Sequence, residues 1–240
     1  THYDMDHSAG AANLLTRVDA DVVMVPDTED TYGVTDTILD VTSGEVLHIS
    51  EQTTINLGGT VLTVFPAALT DSSNESSLCV LFQTEKCAIL ITGDRNGFGE
   101  RMLLRNEDIP DLDVLIVGHH GSKSSTSQEF LEVIRPEYAV ASYKQGNTYG
   151  HPTQEVLSRL RDADVTLYRT DMHGDVICTS DGKTVSFQTA KQPTGNVFGK
   201  IKVEKIPPAD AWDGTGVVIA PIEPEQPMTF TINGTSYQME

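Results

Sequence analysis

Four potential metal ligands lie within six residues near the start of the chain: His2, Asp4, Asp6 and His7. Bringing two acids and two imidazoles together is unfavourable unless a cation lies among them, because each group loses hydration and like charges repel. Taken alone, such a cluster is also typical of a solvated loop. The rest of the chain therefore decides between a metal site and an ordinary polar loop.

Three further polar groups each follow or adjoin a strand-like run. They are Thr92-Gly93-Asp94, Gly118-His119-His120-Gly121-Ser122 and Tyr149-Gly150-His151-Pro152. Each has a plain alternative, since Gly-Asp after a strand often starts a turn and a histidine before proline often lies at a helix start. The carboxyl ends of strands are, however, where open α/β sheets usually carry their chemistry. Together with residues 2–7, these groups predict one shared site.

Hydrophobic periodicity predicts alternating strands and helices that would position these groups. Strands are predicted at 21–25, 45–49, 53–57, 60–65, 78–82, 87–91, 113–117, 138–142, 165–168, 175–178, 185–188, 228–232 and 235–238. Helices are predicted at 8–18, 34–41, 99–106, 126–134 and 152–160. The hairpin of residues 78–91 is predicted to turn at Thr84-Glu85. A capping box, Thr126-x-x-Glu129, is predicted to open the fourth helix.

Length and charge bound the function. The 240 residues suffice for one core, predicted at 1–190, with residues 191–240 forming a proline-rich linker and a hairpin appendage at Asn233-Gly234. The net charge of −19 disfavours nonspecific binding to nucleic acid or anionic membranes. Any anionic substrate must then be held by local charge. We expect no membrane-spanning segment in this chain, because no apolar stretch is long enough.

The motifs above, with the Asn74-Glu75-Ser76-Ser77-Leu78 stretch, resemble those of the metallo-β-lactamase fold. They are most similar to the soluble hydrolase domain of ComEC-type competence proteins, from residue 1 to about residue 190. The resemblance implies an α/β protein with an αββα sandwich and a two-metal site at one edge. It also implies hydrolysis of an ester, above all a phosphodiester, and an extracellular or cell-surface location.

Carried over by position, the resemblance implies a role for each residue. His2 and Asp4 would hold one metal ion, Asp6, His7 and His119 the other, and Asp94 would bridge the two. Catalysis would then involve Asp6, Asp94, His120 and His151, with His120 or His151 protonating the leaving oxygen. Asn74, Ser122 and Lys123 are the candidates for substrate binding.

Two departures from the family pattern affect these expectations. The superfamily usually has histidine where this chain has Asp4, and a further histidine before the bridging aspartate, where only His48 is found. Carboxylate in place of imidazole favours manganese or magnesium relative to zinc, and two ions of Mn²⁺, or else of Zn²⁺, are expected. Asp4 could bind metal itself or only orient His2. Relatives also have strands before the first motif, so the sandwich is expected to lack its first strands.

Three functions from different classes fit these observations. The first is a phosphodiesterase or nuclease acting on an anionic ester, with single-stranded DNA as a candidate substrate. The second is a hydrolase of a small or cell-wall-linked ester, such as a phosphorylcholine-type phosphodiester or a lactone. The third is a non-catalytic binding module in which metal only stabilises the fold. The sequence identifies no protein partner.

Overall fold

The computed structural model of the chain describes residues 1–68 and 72–199, together with the backbone of 228–232 and 235–239. The strands are β1 (Val22–Pro26), β2 (Glu45–Ile49), β3 (Thr53–Leu57), β4 (Thr60–Phe65), β5 (Cys79–Gln83), β6 (Ala88–Ile91), β7 (Val114–Ile116), β8 (Tyr138–Ala141), β9 (Thr166–Arg169), β10 (Val176–Ser180), β11 (Val185–Thr189), β12 (Met228–Ile232) and β13 (Thr235–Met239). The helices are α1 (Met5–Ser8), α2 (Ala11–Leu15), α3 (Val34–Leu39), α4 (Gly97–Asn106), α5 (Gln128–Ile134), α6 (Gln154–Asp162) and α7 (Thr170–His173). A short 3₁₀ turn lies at Asn74–Ser76, and Gly118–Gly121 form a tight turn in which His119 and His120 have left-handed backbone, with φ of +48° and +54°.

Nine strands form the large sheet, in the order β13-β12-β3-β4-β5-β6-β7-β8-β9. Antiparallel pairing from β3 to β6 gives way to parallel pairing from β6 to β9, where helices provide the crossovers. The parallel half therefore carries several carboxyl strand ends on one edge. β1 and β2 form a separate parallel pair joined through α3.

The layers follow from alternating side chains on β1. Val22 and Met24 contact apolar residues of β3 and β4, whereas Val23 and Val25 pack with α2 and α3 on the opposite side. The far face of the large sheet is covered by α4, α5 and α6, whose apolar side chains share the main core. The order is helix, sheet, sheet, helix, which confirms the predicted αββα fold class. In the described residues, the second sheet of this sandwich consists of the two strands β1 and β2.

The C-terminal hairpin is present as β12 and β13, and β12 pairs with β3 at the edge of the large sheet. The β10–β11 hairpin is a second small β element, stacked through Phe187 on Tyr168 and Tyr138. Residues 200–227 and the Asn233-Gly234 turn lie outside the described residues, and the domain boundary near residue 190 remains a prediction. Among the described helices, none combines the length and apolar character needed to cross a bilayer.

Three local predictions were wrong. The hairpin of β5 and β6 turns at Glu85-Lys86, because Thr84 pairs with Cys87 through a backbone hydrogen bond of 2.8 Å. The Thr84 hydroxyl also accepts from the Cys87 N–H, which fixes this register. The predicted N-terminal helix is also divided, since α1 and α2 are separate and α1 contains Asp6 and His7.

The capping box is the third wrong prediction, and its replacement bears on the site. Ser127 caps α5 by accepting from the Phe130 N–H, while Thr126 has a left-handed backbone with φ +51°. The Thr126 hydroxyl instead accepts from the Gly118 N–H at 3.1 Å. Buried Glu100 of α4 accepts from the N–H groups of Thr126 and Ser127. A carboxylate from a neighbouring helix thus holds the loop that a local cap was expected to hold.

We predict that Glu100→Ala lowers the free energy of unfolding by about 2–5 kcal/mol, because two N–H groups lose their acceptor and a cavity opens. Glu129→Ala is the matched control, since Glu129 is exposed in the first turn of α5. We expect it to change stability by less than about 1 kcal/mol. Urea denaturation of both variants measures the difference, and a larger loss from Glu129→Ala would restore the capping box.

Candidate metal centre

The ligand-type side chains from separate segments meet at one edge of the large sheet. Asp94 follows β6, His119 and His120 follow β7, and His151 lies in the loop after β8. These strands are parallel, so their carboxyl ends lie together. Helix α1 brings His7 to the same place, where its Nε2 lies 3.2 Å from Asp94 Oδ1. The predicted convergence of distant motifs is therefore present in the fold.

Asp94 lies at the centre of the cluster and is only 4% exposed. Its Oδ1 faces His7, whereas its Oδ2 lies 3.4 Å from His119 Nε2 and 3.9 Å from His120 Nε2. The two oxygens of one carboxylate thus face imidazoles from two different parts of the chain. A carboxylate placed between two groups of imidazoles in this way is compatible with a bridging ligand.

The orientation of His120 is fixed from outside the cluster. Its Nδ1 lies 2.8 Å from the Ser142 carbonyl oxygen, which can only accept, so Nδ1 carries a proton. In the neutral ring the Nε2 lone pair then faces inward, 3.1 Å from His7 Nε2 and 3.5 Å from Asp6 Oδ2. Metal-binding histidines commonly have this outer N–H to carbonyl contact.

His2 is held in the same manner, by a residue that the site prediction did not include. Its Nδ1 lies 3.1 Å from the hydroxyl of buried Ser77, and this hydroxyl also accepts from the Asp94 N–H at 3.0 Å. His2 Nε2 is buried and has no hydrogen-bond partner. Ser77 belongs to the 74–78 stretch of the family resemblance, but nothing in that stretch distinguishes it from Ser76. The sequence signal for its role is weak.

The contacts of Asp4 bear on its two predicted roles. Its Oδ2 lies 3.5 Å from His2 Nε2 and accepts from Ser73 Oγ at 3.3 Å. The outer nitrogen of His2 already faces Ser77 and the Thr1 hydroxyl. Asp4 is therefore on the inner side of the ring, which favours a ligand role over an orienting role.

Burial and charge set the protonation states. Burial, followed by the neighbouring His7, lowers the pKa of His2 to about 4, so its ring is neutral at physiological pH. Burial alone would raise the pKa of Asp94, but the hydrogen bond and charge of His7, with the charges of His119 and His120, lower it overall. A neutral imidazole beside an ionised carboxylate is the state in which both bind a cation.

The donors fit divalent ions. One group of three ligand atoms within 4.8 Å of one another comes from His2, His7 and Asp94, and a second comes from Asp6, His7 and His120. The Nε2 of His2 supports this fit, because it is buried, makes no hydrogen bond and lies 3.5 Å from the Asp4 carboxylate, so a cation bound by both groups would satisfy it. The grouping differs from the predicted division, in which His119 rather than His120 binds metal. His119 still faces Asp94.

The predicted substrate-binding residues lie around this cluster with different exposures. Ser122 is buried, and its N–H donates to the His119 carbonyl at 2.8 Å. Lys123 is exposed, and its carbonyl accepts from Arg159. Asn74 is half-buried in the 3₁₀ turn that precedes Ser77. Their roles toward a substrate remain predictions.

Two arginines near the site form hydrogen bonds within the protein. Arg95 is buried and donates to the carbonyl oxygens of Ser77 and Pro66. Arg169 is also buried, and it pairs with Asp171 and donates to the carbonyl oxygens of 197 and 199. These guanidinium groups stabilise loops and are not exposed to an anionic substrate.

A family model described as the Metallo-beta-lactamase superfamily matches residues 1–145, a range that includes the ligand-type residues from His2 to His120 but not His151. The chain belongs to this superfamily. Its members are generally hydrolases and usually bind divalent metals, typically zinc. A solved structure of a superfamily protein from Thermotoga maritima is similar with a TM-score of 0.30 and 12% identity, over 55% of this chain and 63% of that one.

Three curated relatives are similar to this superfamily chain. ComE operon protein 3 of Bacillus subtilis is 38% identical over 44% of this chain, and Competence protein ComA of Neisseria gonorrhoeae is 44% identical over 36%. Recombination protein 2 of Haemophilus influenzae is 30% identical over 73%. The matches cover 14%, 13% and 21% of the relatives' own lengths, respectively. The chain therefore matches a minor part of each relative.

Gly93 allows the close packing of the cluster. A Cβ at this position would lie 2.6 Å from the Ser77 hydroxyl oxygen, and the backbone has φ +57°. We predict that Gly93→Ala displaces Ser77, lowers the metal content of the purified protein and destabilises it by about 2–4 kcal/mol, from backbone strain and overlap combined.

Gly58→Ala is the matched control for this substitution. Gly58 has φ +59° and nothing within 4 Å of a built Cβ, so the variant has the strain without the overlap. We expect it to retain full metal content, as measured by elemental analysis. Equal metal content in the two variants would contradict the packing role of Gly93.

Proposed function

We propose that this chain is a metal-dependent phosphodiesterase with a two-metal site. The observation that supports it most is the position of Asp94, with one carboxylate oxygen facing His7 and the other facing His119 and His120. Six residues would hold the ions: His2, Asp4, Asp6, His7, Asp94 and His120. His119 is an alternative to His120, as the family resemblance implies.

Divalent ions held there would act as Lewis acids and activate water for attack on the ester. Three carboxylates, from Asp4, Asp6 and Asp94, leave net positive charge on two such ions, which favours an anionic ester as substrate. The protein contributes rigid positioning. The Ser142 carbonyl and the Ser77 hydroxyl hold the outer nitrogens of His120 and His2, so both rings present Nε2 to the site.

His151 is proposed to protonate the leaving oxygen. Its ring lies 5.6 Å from that of His119, centroid to centroid and edge-on, at the outer side of the cluster. The side chain of Asn147 holds its backbone at both the N–H and the carbonyl group. An imidazole in this place is suited to donate a proton without itself binding metal.

The relatives named as competence and recombination proteins support DNA as the phosphodiester. A second candidate, a small or cell-wall-linked ester, is favoured by the acidity of the chain and by the burial of two arginines. Arg95 and Arg169 are buried and internally bonded, and the whole chain has a net charge of −19. A long polyanion requires neutralising contacts, whereas a small ester requires only the metal centre.

A substrate panel separates these functions. With manganese or zinc added, we expect turnover of bis-p-nitrophenyl phosphate and cleavage of single-stranded DNA, and we expect Asp94→Ala to lose both, together with metal binding beyond one ion. Turnover of the small ester without DNA cleavage would support the second candidate. Metal binding with no turnover would overturn the hydrolase proposal, and two tightly bound ions in Asp94→Ala would overturn the bridging role.

Substitution of His151 is predicted to change turnover, whereas substitution of His120 is predicted to change metal content. His151→Ala should lower turnover by about 10²-fold or more while leaving the metal content unchanged, because general acid catalysis contributes about 10²–10⁴-fold. His120→Ala should lower the metal content itself. Elemental analysis beside kinetics distinguishes the two, and metal loss in His151→Ala would make His151 a ligand.

A further inference from the structure

An exposed aromatic ring stands beside the outermost histidine of the site. Tyr149 is 82% exposed, and its ring stacks on His151 with centroids 5.9 Å apart and an interplanar angle of 27°. His151 in turn contacts His119 edge-on, and His119 faces Asp94. A continuous series of rings therefore leads from the buried carboxylate to solvent.

The loop that carries Tyr149 is held in place by Asn147. Its Oδ1 accepts from the His151 N–H at 3.0 Å, and its Nδ2 donates to the carbonyl oxygens of His151 and Lys144. The three contacts close the loop on itself. The Tyr149 ring is thus presented on an ordered backbone, which lowers the entropy lost when a ligand binds.

The same loop is anchored to the histidine turn of the site. Pro152 packs so closely on Gly121 that a Cβ there would lie 2.6 Å from the Pro152 Cβ, and the Thr153 N–H donates to the Gly121 carbonyl at 2.9 Å. At the other end of the loop, the Ser142 carbonyl faces His120. The position of Tyr149 relative to the donors is therefore fixed from both sides.

We propose that Tyr149 determines specificity by stacking on a planar ring, of the chemical class of a nucleobase, carried by the ester that binds at the metal centre. The inference rests on the proposed function and names the group beside the ester. Aromatic side chains bind bases by stacking irrespective of sequence, at about 1–3 kcal/mol per base.

Stacking also suits the charge of this protein. Lys123 and Lys144 are exposed, whereas Arg95 and Arg169 are buried. With few phosphate contacts, binding to a single strand should depend weakly on salt, because each contact contributes only about −0.7 to the slope of log K against log salt. Affinity must then come mainly from the rings.

The test compares a labelled oligothymidylate with an abasic oligonucleotide of equal length, by fluorescence anisotropy on the protein as purified. Recovery of intact oligonucleotide is checked on a gel. Wild type should bind the base-bearing strand about tenfold more tightly. Tyr149→Ala should lose this preference, and Tyr149→Phe should retain it because the ring remains. Tyr32→Ala, which removes another exposed tyrosine, should behave as wild type.

Competition by thymidine monophosphate identifies the source of the ring. If thymidine monophosphate displaces the oligothymidylate from wild type but not from Tyr149→Ala, one nucleotide is enough for stacking. If the monophosphate does not compete but wild type still prefers the base-bearing strand, stacking requires a polymer. Either result supports the proposal. Equal binding of both oligonucleotides by wild type, an unchanged preference in Tyr149→Ala, or its loss in Tyr149→Phe overturns the proposal. These binding readouts do not require turnover, so an inactive protein with the preference overturns only the proposed hydrolysis.

Discussion

The structure depends on the crowding of imidazole and carboxylate groups around one buried aspartate. His7 Nε2 lies 3.1 Å from His120 Nε2, and the outer contact of His120 leaves a lone pair facing inward. Nitrogens at this separation need a proton or a cation between them, and His2 Nε2 has no hydrogen-bond partner. A divalent ion satisfies several of these donors at once, whereas a single proton satisfies one pair.

The scaffold enforces this crowding through Ser77. Its carbonyl accepts from the Arg95 side chain, its hydroxyl accepts from the Asp94 N–H, and the same hydroxyl faces His2. One serine thereby connects the start of the chain to the turn after β6. Gly93 makes the approach sterically allowed. The outer nitrogens of His120 and His2 are held by the Ser142 carbonyl and the buried Ser77 hydroxyl, and such outer contacts position ligand side chains.

The parts of this site that the sequence could predict are those with a local or periodic signal. Apolar runs located β6, β7 and β8, and the polar residues after them followed directly. Contacts made across the fold have no such signal. Glu100 holds the Thr126 loop from another helix, which the local Thr126-x-x-Glu129 pattern obscured. Ser77 and the Ser142 carbonyl likewise gain their roles only when the strands from β5 to β8 are placed in their order in the sheet.

Charge makes the final constraint. A chain with net charge −19 can attract an anionic ester only where positive charge exceeds the charge of the local carboxylates. Arg95 and Arg169 do not provide this charge, because their guanidinium groups are bonded to backbone carbonyl groups of loops. In the proposed function, positive potential at the site would come mainly from metal ions held there, with additions from exposed lysines. Selection among anionic esters would then depend on uncharged surfaces at the rim. The exposed ring of Tyr149 beside His151 is such a surface, and in the proposed role it would discriminate by shape and polarisability without adding charge.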